Sequence, residues 1–545
     1  MAERARPRWA AAGAVALAGL LVLIAVLVYG DHARNGGWVG DAWSTRAWFA
    51  LYPHTSFFST VGHFFDLNSS MAARPANAVY RVTLNDLFGA DTGAWFAWQA
   101  ASCVLMCLAV FALLREVGLR YLDAAAVAAL LAVFPASVSL WLWSPIVHAS
   151  LSIAIAALGF LLALWAFGRE GRARLALHAA SLLLFVLSLL LYEVCLPLFL
   201  ASFLLYALRA PRREACARWL VDCLVLLPLA LVISSSTDSR DQGVGGSIDH
   251  AAKMAGELPE LFFERLLPFS LPTALGAVVL LAIYACAVLA IRRRPTEDPV
   301  SARLRGLFAI TAAGLVVIAL GYLIYAPGID YYLPLAEGIG DRVNAVAGIG
   351  WILCLYALAA MTATLLTMWL RRRALAALLG TAALVLALGL SWLSPIADES
   401  RAYLDADEAS DRVLNVVHRA VPEPPRGSVI WTFGQPVESA VGVPIFANYW
   451  NMTAAVQLSY HDRHLRSFVA LPGTRFACTA EGVVPGGNLE YPSPPPGKLG
   501  DFGSRYGRTY FVDTERGQFA TIDSRARCLE LREAFRLSPT LPPTS

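Results

Sequence analysis

Long apolar runs recur through this 545-residue chain as far as about residue 394, and they constrain its fold more than any other feature. A helix that crosses a membrane needs about 20 apolar residues, because the hydrocarbon core is about 30 Å thick. Charged residues make up only 15% of the chain, against about 25% in soluble domains. We therefore predict a mainly α-helical, polytopic membrane protein. About eleven transmembrane helices are expected, at about 10–29, 95–114, 123–143, 147–167, 175–191, 194–208, 219–235, 270–291, 306–325, 344–369 and 374–394.

The apolar stretch 175–208 is too long for one span, since as a single helix it would measure about 51 Å. Tyr192-Glu193 is the expected break. Two helices place the arginines that follow the stretch on the same side as the arginines that precede it, as cytoplasmic loops require.

Arginines concentrate in alternate connections between the predicted spans. The predicted inner segments hold 20 basic residues, against eight in the outer loops before the tail. Cytoplasmic loops are enriched in this way, so the N-terminus is expected inside and the C-terminus outside. Lys253 and Lys498 are the only lysines, a bias typical of GC-rich bacterial genomes. We expect a multi-pass protein of the bacterial cytoplasmic (inner) membrane with the lipid bilayer as partner. The net charge of +3 gives no indication of nucleic-acid binding.

Three outer segments are long enough to carry function, at 30–94, 236–269 and 395–545. The first two belong to a predicted transmembrane domain, 1–394. The tail, 395–545, is predicted to be a small soluble α/β domain outside the cytoplasm. It combines an amphipathic helix at 404–420 with buried strands at 427–433 and 508–514.

Two of the nine cysteines, Cys478 and Cys528, lie in the polar tail. The predicted topology places them in an oxidising compartment, where disulfides persist. We expect them to pair with each other; two separate buried thiols are the alternative. Cys-x-x-Cys does not occur, so the cysteines do not indicate a zinc or redox site.

Several acids fall on the predicted outer face. Asp31, Asp41 and Asp66 lie in the first outer loop, and aromatic residues surround Asp41. An aromatic belt at the membrane interface would also explain that pattern. Glu193 lies inside the apolar run LLLYEVCLPL, where an ionisable residue is a functional candidate, although its side chain could simply reach the interface.

The arrangement resembles the GT-C class of polytopic membrane glycosyltransferases over about residues 1–395. The resemblance rests on a long acidic first outer loop and on four short stretches: Arg74-Pro75, 130–152, Tyr192–Pro197 and Gly340–Asn344. It implies sugar transfer from a polyprenyl-phosphate-linked donor to an envelope glycan, lipid or protein acceptor. It further implies catalytic roles for Asp41, Asp66 and Glu193, and substrate-binding roles for Arg74, His148, Tyr192 and Arg342.

The expected chemistry needs acid and positive charge together. A carboxylate can remove the proton of the acceptor hydroxyl, and Asp41 is the first candidate. The leaving lipid phosphate needs positive charge from an arginine such as Arg342, or from a divalent metal, Mg²⁺ or Mn²⁺. The alternative is a non-catalytic polytopic protein that acts in assembly or export of envelope polysaccharide. A transporter fits less well, because the spans lack polar sites near their midpoints.

Overall fold

The computed structural model describes residues 8–52, 55–67, 69–236, 243–268, 272–328, 332–369, 374–446, 448–470, 475–486 and 503–537. The chain divides into two compact units. The first unit comprises Met1–Asn35 and Ser56–Ser400, and the second comprises Gly36–Thr55 and Arg401–Ser545. The sequence predicts domains at 1–394 and 395–545. In the structure Gly36–Thr55, a part of the predicted first outer loop, belongs to the same compact unit as the tail.

The first unit is helical in its described parts. Its helices are α1 (Arg8–Asn35), α3 (Phe57–Leu67), α4 (Ser69–Ala72), α5 (Pro75–Phe88), α6 (Thr92–Val117), α7 (Tyr121–Ala132), α8 (Ser139–Leu142), α9 (Val147–Phe167), α10 (Gly171–Leu191), α11 (Leu196–Leu200), α12 (Ser202–Tyr206), α13 (Arg212–Ser236), α14 (Gly243–Glu260), α15 (Thr273–Arg292), α16 (Pro299–Leu323), α17 (Ala347–Trp369) and α18 (Ala374–Ser391). Helix α19 (Leu393–Ala420) begins in this unit and continues into the second.

Nine helices among the described residues are long and apolar enough to cross a membrane. They coincide with nine of the eleven predicted spans, and the chain is a multi-pass membrane protein. The other two predicted spans are helical but interrupted. In 123–143, α7 ends at Ala132 before Pro135, and α8 follows after a turn. In 194–208, α11 and α12 are five residues each. The arginines at 371–373 lie outside the described residues.

Small residues and one polar network hold the long helices together. A Cβ on Gly314 of α16 would lie 2.7 Å from the carbonyl oxygen of Gly350 in α17, so both helices need glycine at their contact. Asp123 in α7 accepts hydrogen bonds from Arg303 of α16, at 2.7 and 3.2 Å, and from Tyr356 of α17. This network fixes the short helix α7 against its two longer neighbours.

The second unit contains a four-stranded sheet in the order β4-β1-β8-β9. Its strands are β1 (Val429–Phe433), β4 (Arg466–Val469), β8 (Thr509–Asp513) and β9 (Gln518–Ile522). Strand β1 is parallel to β4 and β8, and β9 is antiparallel to β8; Trp431 pairs in register with Phe468 and Phe511. The predicted strands at 427–433 and 508–514 are thus neighbours, and the predicted α/β class is confirmed.

Helices and two smaller sheets complete the second unit. The remaining elements are α2 (Asp41–Leu51), β2 (Glu438–Ala440), β3 (Val443–Pro444), α20 (Tyr449–Tyr460), β5 (Arg475–Cys478), β6 (Gly482–Gly486), β7 (Ser504–Arg505) and α21 (Arg525–Leu537). A disulfide joins Cys478 of β5 to Cys528 of α21, with Cα atoms 5.9 Å apart. The aromatic core around Trp431 and this disulfide together stabilise a small domain.

Candidate functional site

Glu193 lies where the apolar stretch 175–208 breaks. Helix α10 ends at Leu191, Tyr192 is extended, and a 3₁₀ turn at Glu193–Cys195 precedes α11. The predicted break at Tyr192-Glu193 is therefore present. It takes Glu193 out of the helical register and lets its carboxylate face another element.

That element is the start of α5. Arg74 precedes Pro75, and its guanidinium binds both carboxylate oxygens of Glu193, with Nε 2.6 Å from Oε2. The two side chains are 17% and 22% exposed. Burial lowers the pKa of Arg74, but the adjacent Glu193 carboxylate outweighs burial and leaves that pKa raised. A bidentate pair of this kind fixes Arg74 in one orientation.

Tyr192 and His148 extend the cluster. The Arg74 guanidinium lies 5.4 Å from the centre of the Tyr192 ring, and the His148 ring meets the same ring edge-on at 4.9 Å. Arg81 of α5 lies beside His148, with Nη2 3.5 Å from Nδ1, and donates to the carbonyl of Pro145. Arg81 and His148 are both buried.

Arg342 reaches the cluster from a 3₁₀ segment, Gly338–Asn344. Its guanidinium lies 5.3 Å from the Trp143 ring centre and 5.8 Å from that of Tyr332. Tyr332 stacks on Tyr325 at 5.6 Å. Tyr325 is buried and interacts electrostatically with Tyr192, Arg342 and Glu193, so it links the two arginine groups.

Five of the predicted site residues thus belong to one cluster within the first unit: Arg74, His148, Tyr192, Glu193 and Arg342. Asp66 lies on the exposed face of α3 in the same unit. Asp41 belongs to the second unit, where it begins α2 and accepts a hydrogen bond from the Trp450 indole at 2.9 Å.

Sequence reasoning did not select Arg81 or Tyr325 for the site. Tyr325 closes an apolar run, GYLIYAPG, and reads as an interfacial aromatic. The one sequence feature that could have indicated Tyr325 is the pair of tyrosines, Tyr322 and Tyr325, just before Pro327. Only the fold shows that Tyr325 stacks on Tyr332 and interacts electrostatically with both Arg74 and Arg342.

The charges of this cluster do not suit a metal ion. Glu193 is already bound to Arg74, His148 adjoins Arg81, and Arg342 adds a third cation. No group of three or more His, Cys, Asp and Glu side chains able to hold a metal occurs in the part of the chain that the structure describes. Positive charge for an anionic ligand is available here from arginine instead.

Comparisons with known proteins give distant structural similarity only. No family model and no curated protein matches the chain. The crystal structure of ArnT from Cupriavidus metallidurans in the apo state is similar over 84% of this chain and 86% of its own, with 13% identity and a TM-score of 0.35. The same protein bound to undecaprenyl phosphate is similar over 82% and 89%, with 14% identity and a TM-score of 0.31.

Proposed function

We propose that this protein is a membrane glycosyltransferase. It transfers a sugar from a polyprenyl-phosphate donor to an envelope glycan, lipid or protein acceptor on the extracytoplasmic face of the bacterial inner membrane. The observation that carries the proposal is the cluster of arginines and aromatic rings in the first unit, in which the Arg342 guanidinium lies close to the rings of both Trp143 and Tyr332. Such a cluster suits the phosphate of a lipid whose chain stays in the bilayer.

The proposed residues divide the reaction between them. The acceptor oxygen attacks the anomeric carbon, and the bond from that carbon to the phosphate oxygen breaks, so the electron pair leaves with the lipid phosphate. Arg342 stabilises the charge that develops on this leaving group. A carboxylate takes the proton of the acceptor hydroxyl. Asp41 is our first candidate for that base, and Asp66 is the second.

We assign Glu193 to holding Arg74 rather than to proton transfer. Both oxygens of the Glu193 carboxylate already accept hydrogen bonds from the Arg74 guanidinium, so this carboxylate is held by the arginine and does not face an acceptor hydroxyl. Tyr192 and His148 line the same cluster and are proposed to contact the donor.

Complementation of a gene deletion tests the proposal. Deletion should change one lipid-linked or envelope glycan, and the wild-type gene should restore it. Asp41→Asn should fail to restore the glycan, because loss of a general base lowers the transfer rate by ~10²–10⁴-fold. Arg342→Ala should fail to restore it as well. Asp405→Asn and Arg265→Ala change an exposed acid and a half-exposed arginine, and both should complement.

The outcomes separate an enzyme from an assembly or export protein. A glycan that is restored equally by Asp41→Asn, Asp66→Asn and Arg342→Ala would indicate the non-catalytic alternative. A deletion that leaves every lipid-linked and envelope glycan unchanged would contradict the proposal.

A further inference from the structure

The segment Gly338–Asn344, which carries Arg342, is bound at its first residue by an acid from a distant helix. The Glu399 carboxylate, in the first turns of α19, accepts the backbone N–H of Gly338 at 2.9 Å. Gly338 has φ of 68°, a conformation that favours glycine. The start of the segment is therefore fixed in both position and backbone shape.

The middle of the segment is bound by a second buried acid. The Asp341 carboxylate accepts the backbone N–H of Ser139 at 3.1 Å and also the Ser139 hydroxyl. Asp341 is fully buried and Glu399 is 8% exposed. Burying a carboxylate is costly unless hydrogen bonds compensate for the lost water, so a short segment that is held by two buried acids, one of its own and one from α19, needs an explanation.

The end of the segment is bound by an amide. Asn344 donates to the carbonyl oxygens of Ala136, at 2.8 Å, and Leu335, at 2.6 Å, and accepts from the Tyr322 hydroxyl at 2.7 Å. Asp341 and Asn344 thus both bind the stretch 136–139. That stretch leads through α8 to Trp143, the ring that faces Arg342.

We propose that Asp341, supported by Glu399 and Asn344, is a positioning residue that fixes the Arg342 guanidinium for the lipid phosphate of the donor. The hydrogen bonds between Asp341 and Ser139, here called the tie, attach the segment 338–344 to the stretch of chain that leads to Trp143. The inference rests on the proposed function for the identity of the phosphate, but the tie itself does not depend on that function. Without the tie, Arg342 would have to be ordered each time the phosphate binds.

Hydrogen exchange of the full-length protein in lipid nanodiscs tests the tie directly. Asp341→Ala and Ser139→Ala should raise exchange at amides 338–344 by about tenfold or more. Asp341→Asn keeps an acceptor oxygen and should largely restore protection. Asp123→Asn is the matched control: it also removes a buried acid that fixes a short helix, and it should leave exchange at 338–344 unchanged.

A double-mutant cycle tests the positioning role. Asp341→Ala should lower kcat/KM for polyprenyl-phosphate sugars by about 10- to 100-fold, as expected when buried donors lose their hydrogen-bond acceptor. Added to Arg342→Ala, it should cause no further loss, because its effect passes through Arg342.

Two results would overturn the inference. One is unchanged exchange at amides 338–344 in Asp341→Ala. The other is a double variant whose loss of kcat/KM equals the product of the losses in Asp341→Ala and Arg342→Ala. If the wild-type protein transfers no sugar, the proposed function fails while the exchange measurement still decides the tie. If Asp341→Ala does not fold, Ser139→Ala, which removes only the hydroxyl donor, takes its place in both experiments.

Discussion

At the scale of single residues, the ion pair between Arg74 and Glu193 is the best-defined contact of the site. Glu193→Gln leaves the Arg74 guanidinium without its charged partner in a largely buried place. It should lower the free energy of unfolding by about 1.5–3 kcal/mol, the range for a hydrogen bond to a charged group. Thermal unfolding of the purified protein in detergent measures this loss.

The matched control for that variant is another arginine–carboxylate pair. Arg265 and Glu337 are 52% and 40% exposed, so Glu337→Gln should change the unfolding temperature very little. Equal effects of the two glutamate variants would contradict our description of the Arg74–Glu193 pair as a buried contact.

Asp341 gives stability a dependence on pH. Burial raises the pKa of Asp341 to about 7, while hydrogen bonds from Ser139 oppose the rise. The folded protein then holds a proton that the unfolded chain releases near pH 3.8. The contribution of this group is fully present below about pH 4 and is lost as pH rises through about 7.

Unfolding temperatures measured from pH 4 to pH 8 should therefore fall less steeply for Asp341→Asn than for the wild-type protein. The amide keeps the shape of the side chain but cannot titrate. Identical pH profiles for the two proteins would show that Asp341 does not titrate in this range.

The sequence alone does not predict which of these residues contact each other. Arg74 and Glu193 were each predicted as outer-face site residues from their neighbours, Pro75 and an apolar run. Their partnership spans 119 positions and depends on how α5 packs near the break after α10. The same holds for Asp341 and Ser139, which are 202 positions apart.

At the scale of elements, the sequence predicted long apolar helices well, because length and composition alone determine whether a helix can span a membrane. It did not predict the interruptions within 123–143 and 194–208. Pro135 follows the end of α7 and is visible in the sequence, but a proline can also be accommodated inside a helix, as Pro228 is in α13. The break between α11 and α12 falls at Ala201, where the sequence has no proline. Packing against neighbouring helices decides between the two outcomes.

The disulfide between β5 and α21 should stabilise the second unit. It closes a loop over a sequence separation of 50 residues, for which the chain-entropy model gives roughly 4 kcal/mol. Cys478→Ser should lower the unfolding temperature of this unit, and reductant should do the same to the wild-type protein. Cys286→Ser, which replaces an exposed free cysteine, is the control.

Free-thiol labelling under denaturing conditions checks the disulfide itself. Without reductant, Cys478 and Cys528 should remain unlabelled while the other cysteines react. Full labelling of both would show that the bond is absent from the purified protein.

At the scale of the whole molecule, the topology determines where the reaction can occur. Charge asymmetry predicts residues 168–174, 210–218 and 292–305 in the cytoplasm and 400–545 outside. This arrangement requires both interrupted segments, 121–142 and 193–206, to cross the membrane along with the nine long helices. Reporter fusions after each segment measure the side directly, and a cytoplasmic tail would contradict an extracytoplasmic site.

Transfer of labelled sugar by the purified protein tests the central proposal most directly. The protein in nanodiscs is mixed with polyprenyl-phosphate sugars, tritiated in the sugar and prepared from the same bacterium, and with envelope membranes from the deletion strain. We predict that the wild-type protein moves label into an envelope acceptor, that Arg342→Ala and Asp41→Asn do not, and that Arg265→Ala does. No transfer by the folded wild-type protein, or equal transfer by all four proteins, would contradict a glycosyltransferase whose site contains Arg342.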